Sequence, residues 1–351
     1  MENSNHASSV LNMFPYPAFS VKDGKILEAN FSAQNTQLTA GMPITDLIFE
    51  HLHFYEAFTR GCLSLTLYPN GTPCVAAVMR TADYDIFHLR NEISSDRLQG
   101  MEQAAQQLRD PLNEILLVAN KLIAKTEKEK KQAALLVHNV QKMQRVTNNI
   151  SAAMQSITGH LYDIQLHDAT ALLNELFEEA AQYVSQADRN LIYNGPTEDI
   201  LCPIDEEIFT KAIYGLLSNA IKGSSEKDDI VVSVSVADGY LHICIENPDN
   251  GMGQSLESQF FRSTRDIQIE DCRHGLGLGI PIAQAAVSAH GGILQLDRTN
   301  NKVRVKLAIS MKVKDGGILR SSIMRINYGN SFNRALLELA DVLPTTAYRK
   351  E

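Results

Sequence analysis

Cysteine is scarce in this sequence. Five cysteines occur in 351 residues, and no two of them form a C-x-x-C pair. Pairs of that spacing are typical of structural zinc sites, and dense cysteine is typical of small secreted domains held by disulfides. The sequence favours neither kind of protein. We expect reduced, mostly buried thiols at Cys62, Cys74, Cys202, Cys244 and Cys272.

The sequence also lacks an excess of positive charge and long apolar runs. Lysine and arginine together number 32 against 41 acidic residues, which gives a formal net charge of -9. Proteins that bind nucleic acid carry a basic face, so we expect no nucleic-acid partner. No run of about 18 apolar residues occurs, and the N-terminus lacks the pattern of a signal peptide. We therefore expect no membrane span and a cytoplasmic location.

The first part of the chain carries the signals of a small antiparallel sheet. Residues 14–30 predict a strand, a turn and a strand, because apolar residues flank an Asp-Gly dipeptide. Residues 62–90 predict three further strands, with an Asn-Gly hairpin signal between two of them. We therefore expect a five-stranded antiparallel sheet in residues 10–92, with short helices between its second and third strands.

From residue 93 the apolar period changes to that of a helix. One apolar series runs through residues 108–122 and a second through residues 136–157, with a charged segment between them. This pattern predicts an antiparallel hairpin of two long helices in residues 93–165. A lone hairpin buries little surface, so we expect its remaining apolar stripe to pair with a second copy in a dimeric four-helix bundle. A hairpin packed against its own chain would explain the same pattern.

Residues 166–313 alternate helical and strand patterns, which predicts an α/β sandwich with a mixed sheet. Residues 314–351 predict a short strand and a helix, and the sequence assigns no role to this C-terminal extension. The hydrophobic content of 44% is ample for several cores. The expected fold class is therefore α+β with several domains.

Glycines at the start of a predicted helix favour anion binding. Gly275, Gly277 and Gly279 can bring backbone N–H groups against an anion at the helix N-terminus, although glycines also serve ordinary turns. Asp249 follows a predicted strand and could accept a hydrogen bond from an exocyclic amine. Asn219 on a predicted helix could offer an oxygen to Mg²⁺. Together these residues predict a nucleotide site.

These residues belong to three motifs, "LLSNAIK" at 216–222, "DNGMG" at 249–253 and "GLGLG" at 275–279. In this order they resemble the N, G1 and G2 boxes of the sensor histidine kinases of two-component systems. "LRDPL" at 108–112 resembles part of the H box of that family, and the first domain is PAS-like. The resemblance extends over residues 10–313. It implies a PAS-like sensor domain, a dimerisation hairpin and an ATP-binding domain of the GHKL type.

The resemblance implies ATP and Mg²⁺ as cofactors and assigns roles to the motif residues. Asp249 would recognise adenine, Asn219 would bind Mg²⁺, and Lys222 would contact phosphate. Gly251 and Gly253 would let the flat base approach closely. The implied mobile lid has Gly275, Gly277 and Gly279 at its hinge and phosphate side and includes Phe260 and Arg262.

Three positions depart from the family pattern. Gly215 stands where the N box usually has a second Asn, Gly223 where an aromatic residue is common, and Leu276 where Thr is common. We therefore expect weaker or altered nucleotide affinity. The ATP-hydrolysing relatives of this fold have a Glu at the position of Gly215, where it acts as a base. Glycine cannot act as a base, which disfavours ATP hydrolysis.

The H box has lost its reactive residues. The family pattern is His-Glu-Leu-Arg-Thr-Pro-Leu, and this chain has Gln106 and Gln107 at the first two positions and Asp110 at the fifth. A neutral imidazole can attack a phosphoryl group while the neighbouring carboxylate takes its proton, and an amide does neither. We therefore predict a homodimeric pseudokinase or regulator that binds ATP and Mg²⁺ without autophosphorylation at the usual position. Its expected partners are a response regulator or a partner histidine kinase.

An active kinase is the alternative interpretation. It would phosphorylate a partner in trans or a non-standard acceptor such as His138 in the second predicted helix of the hairpin, although a packing or surface histidine explains His138 as well. His51 and His53 could suggest a haem ligand in the PAS-like domain, but their amphipathic spacing explains them equally. The sequence does not identify the signal that the first domain senses.

Overall fold

One continuous sheet runs through the computed structural model of the chain. The structure describes residues 11–12, 14, 16–89, 95–122, 125–155, 162–251, 253–261, 277–299, 301–313 and 333–349. The strands in these ranges are β1 (Ala18–Lys22), β2 (Lys25–Ala29), β3 (Cys62–Leu67), β4 (Cys74–Arg80), β5 (Asp85–Leu89), β6 (Gln165–Asp168), β7 (Asn190–Asn194), β8 (Leu201–Ile204), β9 (Asp229–Ala237), β10 (Tyr240–Pro248), β11 (Ile293–Thr299) and β12 (Lys302–Ser310). Ten of them form the sheet in the order β2-β1-β5-β4-β3-β11-β12-β10-β9-β7, and β6 pairs with β8. The sheet is mixed, because β7 and β9 run parallel and the other neighbours are antiparallel.

Helices of very different lengths accompany these strands. In the described ranges they are α1 (Phe31–Gln34), α2 (Leu52–Ala57), α3 (Ser95–Lys121), α4 (Glu127–Gln155), α5 (Ala169–Val184), α6 (Glu206–Gly223), α7 (Gly253–Phe261), α8 (Gly279–Ala289) and α9 (Arg334–Glu338). The mixed α+β class expected from the sequence is confirmed. None of the helices in the described part of the chain has the length and apolar character needed to cross a membrane.

Strands β1 to β5 form an antiparallel unit with α1 and α2 between β2 and β3. The turn between β1 and β2 is made by Asp23 and Gly24, both with positive φ (50° and 73°). Such a turn matches the natural twist of two paired strands. Phe19 of β1 and Phe87 of β5 are fully buried, and their stacked rings have centroids 4.8 Å apart. Large side chains therefore fill the interior of this unit.

Helices α3 and α4 lie along each other as a hairpin. Leu112 and Leu116 of α3 and Val140 of α4 are buried. Other apolar residues of the predicted stripe remain exposed, namely Leu108, Ile115, Leu122, Leu136, Met143 and Val146. The apolar residues therefore serve two surfaces, one that closes the hairpin and one that faces outward.

Helices α5 and α6 begin where aspartate side chains cap them. Asp168 accepts a hydrogen bond from the backbone N–H of Ala171 at 3.0 Å, and Asp205 accepts from those of Glu207 and Ile208 at 3.1 and 3.2 Å. These caps satisfy N–H groups that have no partner within the helix. The apolar faces of α5, α6 and α8 share one core with strands β9 to β12. This core fixes the direction in which α6 points its polar side chains.

The C-terminal segment, residues 333–349, packs between α4 and α6. Its helix α9 is capped by Asn333, which accepts a hydrogen bond from the Leu336 N–H at 2.9 Å. Leu339 and Leu343 are buried in the main core. The Tyr348 hydroxyl donates to the Leu336 carbonyl at 2.8 Å. The sequence pattern gave this segment no role, yet the segment is an integral part of the fold.

The pairing of β3 with β11 joins the first five strands to the rest of the sheet. Cys62 is the partner of Leu296 in this antiparallel pair. Gly61, directly before β3, has a φ of 82°, and a Cβ at this position would overlap the carbonyl oxygen of Leu296. The hydroxyl oxygens of Thr66 and Ser288 lie 3.2 Å apart across the same junction. The close approach of the two backbones therefore requires glycine.

We expect Gly61→Ala to weaken this junction more than Gly24→Ala. Both positions have a positive φ (82° and 73°), so the backbone strain of alanine is similar at both. A Cβ at Gly24 meets nothing within 4 Å in the described chain, whereas one at Gly61 meets backbone. The free energy of unfolding should fall by about 2 kcal/mol more for Gly61→Ala. Denaturant titration measures this difference, and equal losses would contradict the close-approach role.

Candidate nucleotide-binding site

The candidate site is built on α6. Ile213, Leu217 and Ile221 are buried against the core. Asn219 and Lys222 lie three residues apart and are half-buried. Residues three apart lie on the same side of a helix, so these two side chains share one face.

Two glycines allow α6 and α8 to cross closely. A Cβ at Gly215 would lie 3.4 Å from the Cα of Gly279. A Cβ at Gly279 would lie 3.3 Å from both the carbonyl oxygen of Gly215 and Nδ2 of Asn219. The departure from the family pattern at position 215 therefore coincides with a tight helix contact. The contact brings the start of α8 directly against Asn219.

The surroundings of Asn219 fit an anion with its metal ion. The buried Nδ2 atom of Asn219 has no hydrogen-bond partner among the residues that the structure describes. The start of α8 has no side-chain cap within the same residues. A helix N-terminus attracts negative charge, and an amide offers either its oxygen to a metal ion or its NH₂ group to an anion. The residues present therefore suit a phosphate group and Mg²⁺.

Asp249 lies directly after β10, with a side chain that is only 2% exposed. Its Oδ1 accepts a hydrogen bond from the Gly251 N–H at 2.9 Å, and its Oδ2 is ion-paired with Arg298 of β11. Gly251 has a φ of 99°, a conformation that favours glycine. The carboxylate thus stands at the end of a strand, as the sequence predicts, but the sequence analysis missed its partner Arg298.

Hydrogen bonds attach the loop after β10, residues 249–251 and called the Asp249 loop, to the end of α6. The Asn250 side chain donates to the Lys222 carbonyl at 3.2 Å, and its backbone N–H donates to the Gly223 carbonyl at 3.3 Å. A Cβ at Gly223 would lie 2.9 Å from Nδ2 of Asn247. A larger residue at this position would therefore require the Asn247 side chain to move. The loop and the helix therefore form one rigid edge of the site.

The residues of the predicted lid fall into different surroundings. Gly253 begins α7, and Gly279 begins α8 after Gly277, which has a φ of 64°. Phe260 is fully buried, and its carbonyl accepts a hydrogen bond from Gln284 at 3.2 Å. In this packing Phe260 is part of the core next to the predicted lid. Three residues of the prediction, Arg262, Gly275 and Leu276, lie outside the described residues.

The residues that replace the H-box histidine and glutamate lie on the surface of α3. Gln106 and Gln107 are both exposed, and Gln106 donates to Glu102 one turn earlier at 3.5 Å. Asp110 is exposed as well. Amide groups in this environment have neither a nucleophilic lone pair nor a basic oxygen.

His138, the alternative phosphoacceptor, is covered by the C-terminal segment. Its Nε2 lies 2.8 Å from the Ala340 carbonyl, and its Nδ1 lies 3.3 Å from the Thr345 hydroxyl. Its ring stacks on Tyr348 with centroids 4.6 Å apart. Both ring nitrogens are therefore engaged. In this arrangement neither of them is available to a phosphoryl group.

His51, considered as a haem ligand, is a buried packing residue at the sheet junction. Its Nε2 lies 3.2 Å from the Gly291 carbonyl, and its Nδ1 accepts from the Thr66 N–H at 3.4 Å. Burial, as the largest influence, lowers the pKa of His51. His53 lies against the ring of Phe54, with centroids 4.1 Å apart. Both contacts are those of ordinary packing.

A buried charge cluster connects Lys222 to distant parts of the chain. The Lys222 ammonium is ion-paired with Asp341 of the C-terminal segment, and Asp341 is also paired with Arg145 of α4. Ser218 donates to the same carboxylate at 3.1 Å. The sequence motifs did not point to Ser218, Arg145 or Asp341. No local motif could reveal them, because 123 residues separate Ser218 from Asp341.

Comparison with known families identifies the class of the region that contains the candidate site. Residues 204–314 match the family described as "Histidine kinase-, DNA gyrase B-, and HSP90-like ATPase". This region holds α6, the Asp249 loop and α8, so the candidate site lies inside the matched domain. The chain therefore contains a domain of this class in residues 204–314.

Comparison with curated proteins adds the particular relatives. The sensory kinase SasA of Crocosphaera subtropica is 25% identical over 239 residues, which are 63% of this chain and 62% of that protein. The probable sensor kinase SilS of Salmonella typhimurium is 23% identical over 238 residues, 64% of this chain and 46% of that protein. The sensor histidine kinase WalK of Bacillus subtilis is 30% identical over 146 residues, 40% of this chain and 23% of that protein. The predicted resemblance to sensor histidine kinases is confirmed.

The matches leave part of each relative uncovered. This chain spans between about half and two thirds of the length of SasA and SilS. Among solved structures, full-length ShkA in complex with AMPPNP is similar at 16% identity with a TM-score of 0.46, covering 62% of this chain and 47% of that one.

We expect acidification to weaken the packing of the C-terminal segment on His138. Burial, the largest influence, and Lys142 lower the pKa of His138 below 6.5, although the bond to Ala340 opposes them. The stability that comes from neutral His138 is therefore complete above pH 6.5 and is lost as the pH falls through the lowered pKa. From pH 7.5 to pH 5, the free energy of unfolding should fall more for the wild type than for His138→Phe, which keeps the ring stacking. Parallel slopes would contradict this role.

Proposed function

We propose that this protein binds ATP·Mg²⁺ between α6, the Asp249 loop and the start of α8, and that it works as a degenerate histidine kinase with a regulatory role. One observation supports the proposal. The buried Asp249 carboxylate and the Asn219 amide stand at positions that the resemblance assigns to nucleotide binding, whereas exposed glutamines stand at the positions of the H-box histidine and glutamate. Binding is thus retained where the chemistry of autophosphorylation is missing.

In this proposal Asp249 reads the adenine base. Its Oδ1 stays with the Gly251 N–H, and its Oδ2 accepts a hydrogen bond from the adenine amine in exchange for the contact with Arg298. Gly251 and Gly253 leave the space that a flat ring needs. The exchange with Arg298 costs one charge-assisted contact, which supports the expectation of weak nucleotide affinity.

The phosphate side of the proposal rests on α6 and α8. Asn219 offers its amide oxygen to Mg²⁺, and Lys222 pairs with phosphate. Gly275, Gly277 and Gly279 allow the backbone to approach the phosphate oxygens. ATP bound with Mg²⁺ would supply a transferable phosphoryl group. Gly215 provides no base, so water near this group is not activated for hydrolysis.

The burial of His138 disfavours the form of the active-kinase alternative in which His138 itself is the phosphoryl acceptor. A phosphoryl acceptor needs a ring nitrogen that the donor can approach, and both nitrogens of His138 contact the C-terminal segment. Phosphorylation of a partner in trans is not addressed by this observation. A direct assay of the wild type with a partner decides it.

We also propose the domain roles that the resemblance implies. Residues 10–92 act as a PAS-like sensor, residues 93–165 as the dimerisation hairpin, and residues 166–313 as the ATP-binding domain. The exposed apolar residues of α3 and α4 support pairing with a second copy. The further partners are a response regulator or a partner histidine kinase, because a chain without its own acceptor has to act through another protein.

Asp249→Asn should weaken nucleotide binding by about 1 to 3 kcal/mol. The amide presents a donor to the adenine amine, or loses one of the two contacts that the carboxylate makes. Asp238→Asn is the matched control, because Asp238 is an exposed turn residue with a φ of 54°, which asparagine tolerates well. Calorimetric titration with ATP and Mg²⁺ compares the variants. Equal affinity in all three proteins would overturn the adenine-site assignment.

The double change Gln106→His with Gln107→Glu should create acid-labile phosphorylation that the wild type lacks. Nucleophile and base would return together, while the binding groups that position the phosphoryl donor are unchanged. Gln107→Glu alone is the control, because it restores the base without the nucleophile. Incubation with γ-labelled ATP and Mg²⁺ is the assay. Robust phosphohistidine on the wild type would contradict the degenerate-kinase proposal.

Ile115→Glu combined with Val146→Glu should split the dimer. Both residues are exposed on the hairpin, and a bundle interface would bury the new charges without partners. Ile150 is unsuitable for this test because it packs against the core of its own chain. Leu117→Glu is the control, because Leu117 is exposed but points about 200° away from Ile115 around the helix. Sedimentation of the wild type as a monomer would contradict the interface.

A further inference from the structure

A cavity of about 790 Å³ lies where the helical hairpin, the start of α6 and the C-terminal segment meet. Ligand pockets in proteins usually measure about 300 to 1,000 Å³. Arg109 of α3 and Glu207 of α6 line the cavity and are exposed, so it is open to solvent. Neither Asn219 nor Asp249 lines it. The cavity is therefore separate from the candidate nucleotide site.

One wall of the cavity is a polar stripe on α4. Gln144, Asn148, Ser151 and Gln155 line the cavity at intervals of four, three and four residues. These intervals place side chains on one face of a helix. The stripe faces the interior of the protein, because Gln144 and Ser151 are only 6% and 4% exposed. Helix α4 thus turns uncharged hydrogen-bonding groups toward the cavity.

Two polar atoms of this stripe lack a hydrogen-bond partner among the described residues. They are Oε1 of Gln144 and Oγ of Ser151, and both are buried. Nε2 of Gln144, by contrast, donates to Oδ1 of Asn113 on α3 at 2.8 Å, and Asn113 also lines the cavity. A buried polar atom without a partner costs stability. A molecule bound in the cavity can supply the missing partners.

The charged side chains around the cavity balance one another. Of the described residues that line it, three are basic and three are acidic. Lys211 is paired with Glu338 at 3.3 Å, and Arg334 is paired with Glu206 at 3.5 Å. A charged ligand would bring a charge that this balanced set does not neutralise, and such a charge is costly to bury. The cavity therefore favours an uncharged ligand.

The remaining groups of the cavity suit a flat molecule with a hydrogen-bonding edge. Gln144 offers an acceptor, Ser151 offers a hydroxyl that donates or accepts, and Asn113 carries an NH₂ group. Leu112 and Leu337 add apolar surface to the walls. An amide or imide edge presents a donor and an acceptor side by side, and amide and hydroxyl side chains recognise such edges.

We propose that this cavity binds a small uncharged molecule with a planar amide or imide edge. Gln144 accepts a hydrogen bond from that edge, and Ser151 donates one to it. The bound molecule contacts α4, α6 and α9 together, so it stabilises their packing against one another. This is a second ligand site, and it does not depend on the proposed nucleotide site.

The first experiment measures thermal unfolding of the full chain with two matched pairs of probes. Nicotinamide and nicotinate differ in the amide, and uridine and 3-methyluridine differ in the imide N–H. Nicotinamide, uridine or both should raise the melting temperature by about 3 °C at about 10 mM, whereas nicotinate and 3-methyluridine should not.

The pattern of shifts identifies the source of the edge. A shift with nicotinamide alone indicates a carboxamide ligand, and a shift with uridine alone indicates a nucleobase. No shift with either probe would overturn the proposal. Equal shifts within both pairs would also refute it, because the amide or imide edge would then not be recognised.

The second experiment locates the bound probe with variants. Ser151→Ala and Gln144→Leu should each abolish the shift. Ser151→Ala should not lower the melting temperature without probe, because it removes a buried polar atom that has no partner among the described residues. Gln132→Leu is the matched control, since Gln132 is exposed on the same helix and does not line the cavity. A full shift in both cavity variants would contradict the proposal.

Asp249→Asn separates this site from the candidate nucleotide site. A probe bound in the cavity should give the same shift in Asp249→Asn as in the wild type, because Asp249 does not line the cavity. A shift that is lost in Asp249→Asn but kept in Gln144→Leu would place the probe at the nucleotide site and would rule out the proposed cavity site.

Discussion

The burial of two cations, Arg145 and Lys222, constrains how the main parts of the chain fit together. Like charges lose their water at lower cost where an anion lies between them, and Asp341 is ion-paired with both of these cations. The hairpin supplies one cation, the ATP-binding domain supplies the other, and the C-terminal segment supplies the carboxylate. The relative positions of all three therefore depend on a residue near the end of the sequence, and the surrounding apolar contacts of Leu339 and Leu343 hold it there.

The residues of the proposed nucleotide site and those of the proposed degenerate H box differ in how closely they pack. Gly215 and Gly279 form the crossing of α6 and α8, so a larger residue at either position would strain the fold itself. Gln106 and Gln107 lie on the surface of α3, where a change of side chain costs little stability. Chemistry located on an exposed helix face can be lost without loss of the structure, whereas a site made from packing contacts is protected by the fold.

Strand β11 connects the first five strands of the sheet to the candidate site. β3 pairs with residues Leu294 to Leu296 of β11, and two residues further along the same strand Arg298 pairs with Asp249. Arg60 beside β3 is paired with Asp297 at 3.1 Å. A movement of β3 would therefore move β11, and with it the Arg298 side chain that contacts the Asp249 carboxylate. Any coupling between strands β1 to β5 and the candidate site along this route would be carried by backbone hydrogen bonds and ion pairs.

The sequence by itself determined the α+β class, the resemblance to sensor histidine kinases and the presence of glutamines at positions 106 and 107, because each of these follows from a contiguous motif or a local period. The tertiary structure alone decided that Arg298 pairs with Asp249, that His138 is covered, and that Asp341 joins Arg145 to Lys222. Such contacts join residues as far as 49 and 202 positions apart. A local pattern carries no information about them, since charged residues find their partners only after burial of the apolar faces has set the geometry.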